Sequence, residues 1–173
     1  MKRILEIGPG SNPMHQKHGE NLRKLAPNER NLLLEEGEDY TALELPRVAF
    51  NHWIWQTAKE AYGDRVHFVH GDGTEMSFED ESFDELVANG SFVGDEKTFA
   101  EFHRVLKQGG ILRLGTKAQN AQRVVHDWAY RLGKMGFTMV DELTHRYRYT
   151  HNKGVIANLR GTDYVVLVFR KES

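Results

Sequence analysis

The sequence predicts an α/β fold: a doubly wound, mostly parallel seven-stranded sheet with helices on both faces and a C-terminal antiparallel hairpin. Three observations support this prediction. Short apolar runs alternate with helical stripes from residue 3 to about residue 136, as in folds with a parallel sheet. The first run ends in a Gly-x-Gly turn at Gly8 and Gly10, where a buried strand passes into a loop. Two further strand-like runs then follow with no helical stripe between them, which favours an antiparallel pair at the sheet edge.

Composition restricts the class of protein. The chain has 173 residues, of which 39% are hydrophobic and 28% are charged, and its net charge is −2. These values predict a single domain over residues 1–173. No run of about 18 apolar residues is present, so no transmembrane helix is expected. The chain has no cysteine, which excludes disulfides and thiolate metal ligands. With no visible signal peptide, these features predict a cytoplasmic protein without a membrane partner.

Seven strands are predicted from apolar runs bounded by turn residues. The first five alternate with helices, and the last two form the closing hairpin. They are Arg3–Ile7, Tyr40–Leu45, Val66–Val69, Phe83–Ala88, Ile111–Leu114, Thr138–Tyr149 and Asp163–Arg170.

Three helices are predicted from apolar residues at helical spacing. We expect the second to end at Gly109 and Gly110 and the third at Gly136. Trp55 lies off the first stripe, which indicates either an exposed interface residue or a helix that is buried more widely. Residues 14–39 predict a further helix that a proline interrupts. The three stripes are Phe50, Trp53, Ile54, Thr57, Ala58 and Ala61; Phe99, Phe102 and Leu106; and Ala121, Val124, Val125, Trp128, Ala129 and Leu132.

Polar residues follow the first four strands, at the end of an open α/β sheet where ligands bind. Glu6 and Gly8 close the first strand. Glu44 closes the second, where the two oxygens of a carboxylate suit both hydroxyls of a ribose. Asp72 follows the third strand and is suited to accept a hydrogen bond from an exocyclic amine such as that of adenine. Asn89 opens the loop after the fourth strand, above the expected reacting end of the ligand. The pattern predicts a nucleotide-type pocket.

With these motifs in this order, the chain resembles the class I S-adenosylmethionine-dependent methyltransferases over nearly its whole length. The closing hairpin also fits, because the sheet of that family ends with an antiparallel seventh strand inserted between the fifth and sixth. The resemblance implies S-adenosylmethionine as methyl donor and S-adenosylhomocysteine as product. It does not identify the acceptor. The segments that carry it are Glu6–Pro13, Leu43–Leu45, Gly71–Gly73, Ser82–Val87 and Arg104–Leu112.

The resemblance also implies roles for matching residues. Glu6 matches the acid that helps to hold the methionine amino group, and Gly8 and Gly10 match the loop that passes under the cofactor. Glu44 matches the ribose-binding acid, and Asp72 matches the adenine-binding acid. The complete set of expected cofactor contacts is Glu6, Gly8, Gly10, Glu44, Leu45, Asp72, Gly73 and Asn89.

Two other classes of function stay open. One is a non-catalytic, methyltransferase-like protein that acts through a partner. The other is a different enzyme on the same scaffold, such as an aminopropyl transferase or a nicotinamide enzyme. The nicotinamide pattern needs glycine at position 13, where Pro13 stands, so it is disfavoured. The sequence identifies no catalytic residue, because a sulfonium methyl donor leaves little covalent chemistry to the protein.

The histidines and a basic segment are the remaining candidates. His67 and His70 have metal-like spacing, but on a strand residues three apart point to opposite faces, so no metal site is predicted. His15 and His18 are candidates for a general base. The segment Arg146–Tyr149 favours a charge-protected edge strand over contact with RNA. A small-molecule acceptor is therefore favoured over nucleic acid, and a homo-oligomer stays open.

Overall fold

The computed structural model describes residues 1–9, 32, 34–50, 53–89, 94–147 and 162–172. All seven predicted strands are present, and β5 is longer at both ends than predicted. In chain order the elements are β1 (Lys2–Ile7), β2 (Glu38–Glu44), α1 (Trp53–Tyr62), a 3-10 turn (Gly63–Arg65), β3 (Val66–His70), β4 (Phe83–Asn89), α2 (Glu96–Val105), β5 (Leu106–Lys117), α3 (Ala118–Lys134), β6 (Phe137–Tyr147) and β7 (Thr162–Lys171).

The strands form one seven-stranded sheet in the order β3-β2-β1-β4-β5-β7-β6. The pairs from β3 to β5 are parallel, whereas β7 is antiparallel to both β5 and β6. The last strand is therefore inserted between the fifth and the sixth, and β6 lies at the edge. This arrangement confirms the predicted fold class and hairpin. Most of the helical segment predicted over residues 14–39 lies outside the described residues. Within the part of the chain that is described, no helix is long and apolar enough to cross a membrane.

Two apolar cores lie on opposite faces of the sheet, because successive residues of a strand point to opposite sides. One core packs against α1, and the other packs against α2 and α3. The α1-side core contains Ile4, Leu32, Tyr40, Ala42, Trp55, Ala58 and Val66. The opposite core includes Leu5, Ile7, Leu43, Leu86, Phe99, Phe102, Leu114, Trp128 and Leu132.

The buried face of α1 differs from the predicted stripe at two positions. Trp55 is 1% exposed and packs edge-on against Phe50 and Phe68. Ala61, which was predicted to be buried, is exposed. The interpretation of Trp55 as an exposed interface residue is therefore wrong, and the alternative of a more widely buried helix is confirmed. The physical reason is size, since the indole fills a space between aromatic rings that the alanine cannot fill.

The second helix ends earlier than predicted. α2 ends at Val105, and Leu106 pairs with Phe83 as the first residue of β5. Residues 107–110 then leave the ladder between β4 and β5. These four residues lie opposite a single residue of β4. Gly109 has φ +74°, a left-handed conformation that this excursion requires and that glycine adopts without strain. The glycine pair therefore serves the strand excursion and does not end the helix. The prediction for the third helix is confirmed, because Gly136 follows it with φ +86°.

A network of charged side chains stabilises the amino end of the sheet on the α1 side. The Glu85 carboxylate is buried and contacts Lys2 Nζ at 2.7 Å and Arg113 Nε at 2.7 Å. Lys2 also reaches Glu38, at 3.3 Å. Burial acts to raise the pKa of Glu85, but the cations of Arg113 and Lys2 hold it below its ordinary value.

An ion pair on α2 holds the loop of residues 71–82, which connects β3 to β4. Arg104 donates from Nε and Nη2 to the two carboxylate oxygens of Glu101, at 2.7 and 2.8 Å. The same guanidinium donates to the carbonyls of Met76, at 2.8 Å, and Phe78, at 2.7 Å. Glu101 also accepts the Met76 amide at 2.7 Å. We call Arg104 and Glu101 the α2 clamp, because together they hold both the amide and the carbonyl of Met76.

We predict that Glu85→Gln lowers the free energy of unfolding by about 2 kcal/mol at pH 7, because two partly buried cations lose their shared anion. Since the folded-state pKa is depressed, the carboxylate contributes its stability above the unfolded value of 4.5 and loses it as the pH falls further. The difference between wild type and variant should therefore shrink below that pH. Urea unfolding at several pH values measures it. The exposed Glu60→Gln is the control, and a pH-independent difference would contradict the prediction.

We predict that Arg104→Met releases the loop and lowers the free energy of unfolding by about 2 kcal/mol, since several charge-assisted hydrogen bonds are lost. Hydrogen exchange of the Met76 amide should become faster. Arg131→Met is a matched control, because the two arginine side chains are 30% and 27% exposed and Arg131 pairs only within α3 in the described ion pairs. Equal exchange of Met76 in both variants would argue against the clamp.

Candidate functional site

The candidate residues lie at the carboxyl end of the parallel strands. Ile7, the last residue of β1, pairs with Leu43 on one side and Ala88 on the other. The next row of the sheet therefore contains Gly8, Glu44 and Asn89, from three adjacent strands. His70 of β3 extends this row, because it pairs with Glu44. The register thus brings together four of the segments that the sequence had singled out separately, and we call this row the carboxyl edge.

The first loop begins at Gly8. Its amide donates to the Leu43 carbonyl at 2.8 Å, which continues the ladder one residue beyond β1. Gly8 then turns with φ +61°, in the left-handed region where a side chain is strained. This is the local conformation that the Gly-x-Gly pattern predicted. Gly10 lies outside the described residues.

Glu6 is a buried carboxylate on the α1 side of the sheet. It is 1% exposed, and its Oε2 accepts a hydrogen bond of 2.6 Å from the Tyr40 hydroxyl. Burial, with the nearby carboxylates of Glu6 and Glu44, raises the pKa of Tyr40 well above its ordinary value. Two acidic side chains therefore lie close enough to one buried phenol for both to act on it.

Glu44 is also buried, with 6% exposure, at the last position of β2. Its backbone carbonyl accepts the Gly71 amide at 2.9 Å, so the loop after β3 begins directly beside it. Leu45 follows, partly exposed, and its carbonyl accepts the Val48 amide at 2.8 Å in a tight turn. The ring of His70 lies 2.8 Å from the Val48 carbonyl and holds this turn against β3.

Asp72 lies exposed in the loop between β3 and β4. Its Oδ1 accepts the Thr74 amide and the Thr74 hydroxyl, each at 2.8 Å, and these bonds lower the pKa of Asp72. The side chain thus forms an Asx turn as well as offering an anionic oxygen. Gly73 lies against the end of β1, because an added Cβ would come 3.4 Å from Ile7 Cγ2. The loop therefore crosses the carboxyl edge at close range.

The backbone of Asn89 ends β4, where it pairs with Gly115 of β5. Its position in the sheet is therefore beside Gly8, at the start of the fourth loop.

The histidines do not form a metal site within the described ranges, where no group of three metal-ligating side chains occurs. His67 Nε2 lies 2.9 Å from an Asp39 carboxylate oxygen, on the opposite side of β3 from its neighbour in the motif. His15 and His18 lie outside the described residues, and so do the side chains of the basic segment predicted at Arg146–Tyr149.

Sequence reasoning missed two supports of this site. It treated Tyr40 only as the start of a strand, although the spacing Tyr40, Ala42, Glu44 places a phenol on the same face as an acid. It treated Arg104 as part of a motif without a role, whereas the α2 clamp holds the loop that carries Asp72. For Tyr40, the available signal was the recurrence of polar side chains at alternate positions of a buried strand. The second depends on contacts between distant parts of the chain.

The comparisons with known proteins agree with this geometry. A sequence model described as a methyltransferase domain matches residues 28–114, half of the chain. The match includes β2 to β4 and the segments with Glu44, Asp72 and Asn89. It begins after β1 and Gly8. No curated protein matches the chain in sequence.

Several solved structures share the fold. An S-adenosylmethionine-dependent methyltransferase from Methanosarcina mazei has a TM-score of 0.63 at 19% identity, covering 98% of this chain and 92% of that one. The YcgJ protein from Bacillus subtilis has a TM-score of 0.58 at 12% identity, covering 99% and 92%. The [4+2]-cyclase SpnF has a TM-score of 0.60 at 19% identity, covering 99% and 74%. At these identities the likeness shows the fold alone.

The sequence match and the inserted antiparallel strand indicate the same family. The chain belongs to the class I S-adenosylmethionine-dependent methyltransferase family, whose members use S-adenosylmethionine as methyl donor.

Proposed function

We propose that this chain transfers a methyl group from S-adenosylmethionine to a small-molecule acceptor and binds the cofactor along the carboxyl edge. The observation that carries the proposal is the row formed by Gly8 and the buried Glu44, with the Asp72 loop crossing beside it. A ligand with a ribose, an adenine and an ammonium group matches this set of acceptors in kind and in number.

Glu44 would hold the ribose. Its two carboxylate oxygens suit two vicinal hydroxyl donors, and its 6% exposure keeps those bonds away from competing water. Leu45, partly exposed at the next position, offers an apolar surface beside the same sugar or base.

Asp72 would accept the exocyclic amine of adenine. The Asx turn occupies Oδ1 with bonds from Thr74 and so fixes the carboxylate plane. Gly73 leaves room beside Ile7 for the loop to approach the edge closely. The α2 clamp holds the rest of this loop, which preorganises it for binding.

The remaining contacts would hold the methionine part. Glu6 supplies a negative charge for the ammonium group, directly or through water. Gly8 and Asn89 would bring backbone close to the same part of the ligand, and the family's pattern assigns Gly10 the same role. This assignment rests on position in the fold and on the family's pattern.

S-adenosylmethionine, when bound, supplies a methyl group on a positively charged sulfur, which is already a strong electrophile. The residues of this chain are therefore required to bind, to orient and to exclude water rather than to form a covalent bond. This explains why the carboxyl edge contains acceptors for a ligand.

The acceptor is proposed from charge. The described acids at or near the carboxyl edge include Glu6, Glu44, Asp72, Glu75 and Asp95, and the chain carries a net charge of −2. Asp95 is near enough to act electrostatically on Asp72. A nucleic acid would be repelled by this surface, whereas a neutral or cationic small molecule would not. The alternative is a non-catalytic cofactor-binding protein that acts through a partner.

We predict that the purified protein binds S-adenosylmethionine and S-adenosylhomocysteine at micromolar concentration and does not bind NAD. Calorimetry and thermal shift measure this directly. A protein that binds neither adenosyl ligand would contradict the proposal. Binding of both ligands without methyl transfer to any acceptor in a small-molecule pool would favour the non-catalytic alternative.

We predict that Glu44→Gln weakens S-adenosylhomocysteine binding about tenfold, because one ribose hydroxyl loses an anionic acceptor. Glu38→Gln is a matched control, since Glu38 is also 6% exposed and lies at the opposite end of β2. It should change the affinity less than twofold. Equal losses in the two variants would show a general effect of charge on β2 instead of a ribose contact.

We predict that Asp72→Asn weakens binding of adenosine while the loop stays folded. Asparagine keeps an oxygen that can accept the bonds from Thr74 but presents an amide in place of the anionic oxygen. Asp72→Ala loses both the turn and the charge. Calorimetry with adenosine should therefore find both variants impaired, and full affinity in Asp72→Asn would contradict the adenine contact.

A further inference from the structure

Tyr40 and Glu6 form a buried hydrogen-bonded pair directly behind the carboxyl edge. Tyr40 is 0% exposed and donates to Glu6 Oε2 at 2.6 Å. The two residues are on adjacent strands but are not register partners, because Glu6 pairs with Ala42. The phenol therefore reaches along the sheet toward the carboxylate, past its own register position.

The phenol is itself held in place. Its ring stacks on Trp55 at a centroid distance of 6.3 Å and an interplanar angle of 22°. Burial and the charges of Glu6 and Glu44 raise its pKa, so the hydroxyl stays protonated throughout the neutral range and acts as a donor. A donor of fixed position and fixed protonation state faces one oxygen of Glu6.

We propose that Tyr40 is a positioning residue that fixes the Glu6 carboxylate for the ammonium group of the cofactor. This inference rests on the proposed function, because it assumes that the carboxyl edge binds S-adenosylmethionine. Neither the sequence motifs nor the family match assigns a role to Tyr40. Its hydrogen bond goes to Glu6, so removal of the hydroxyl should act on the amino-acid part of the ligand.

A buried charge carries a cost in free energy. An ionised carboxylate that is out of water needs hydrogen-bond donors, and a short bond from a phenol is one of the strongest available. The bond also restricts rotation of the carboxylate, so that less ordering is needed when a ligand binds. Without the phenol, Glu6 keeps its position in the chain but loses its fixed orientation and part of its compensation.

The experiment compares two ligands on one variant. Tyr40→Phe removes the hydroxyl and keeps the ring that stacks on Trp55. S-adenosylhomocysteine contains the amino-acid part, and 5′-methylthioadenosine lacks it. We expect calorimetry to find about tenfold weaker binding of S-adenosylhomocysteine and less than twofold change for 5′-methylthioadenosine. Tyr62→Phe is the matched control, because Tyr62 packs against the same core and should affect neither ligand.

A double-mutant comparison tests whether Tyr40 acts through Glu6. In a Glu6→Gln background the added Tyr40→Phe change should have no further effect on S-adenosylhomocysteine binding, since Tyr40 acts through the carboxylate. A further loss there, or an equal loss for both ligands in Tyr40→Phe alone, would overturn the inference and assign Tyr40 a purely structural role. If the wild type fails to bind S-adenosylhomocysteine, the proposed function fails first.

Discussion

The register of the parallel strands is the constraint on which the rest of the structure depends. Ile7 pairs with Leu43 and with Ala88, and this alignment alone decides which residues follow at the carboxyl edge. A slip of one residue would move Glu44 to the opposite face and exchange its apolar neighbours for those of the other core. The buried apolar residues on both faces prevent such a slip. The site is therefore positioned by the same hydrophobic burial that stabilises the fold.

Two acids on the buried α1 side, Glu6 and Glu44, reduce the stability gained from that burial. Removing a carboxylate from water is costly unless donors replace the water, and an apolar side chain would avoid the cost altogether. At the amino end of the same face, Glu85 is compensated by two cations. At the carboxyl end, Glu6 accepts a hydrogen bond from the neutral phenol of Tyr40. The two ends thus stabilise buried acids with different kinds of donor, cations at the first and a phenol at the second.

Local pattern predicted the elements and the row of candidate residues, because strand alternation and glycine turns are local properties. It placed all seven strands and the closing antiparallel pair, whereas the insertion of β7 between β5 and β6 was implied by the family resemblance. It misjudged Trp55, since the space that the indole fills is formed by Phe50 and Phe68 of other segments. It also misplaced the glycine pair at Gly109, because a left-handed residue serves a strand excursion as well as a helix end. The α2 clamp joins residues more than 20 positions apart, and no local periodicity records such a contact.

The candidate site is supported from both faces of the sheet at once. Glu6 and Glu44 belong to the α1 side, where Tyr40 and Trp55 hold the first of them. The loop that carries Asp72 belongs to the α2 side, where Met76 enters the opposite core and the clamp holds its peptide. A ligand that spans the carboxyl edge would join the two supports, because its base and its amino-acid part would lie on loops held by different cores. Binding would then hold the loops supported by the two cores relative to each other, which neither core does alone.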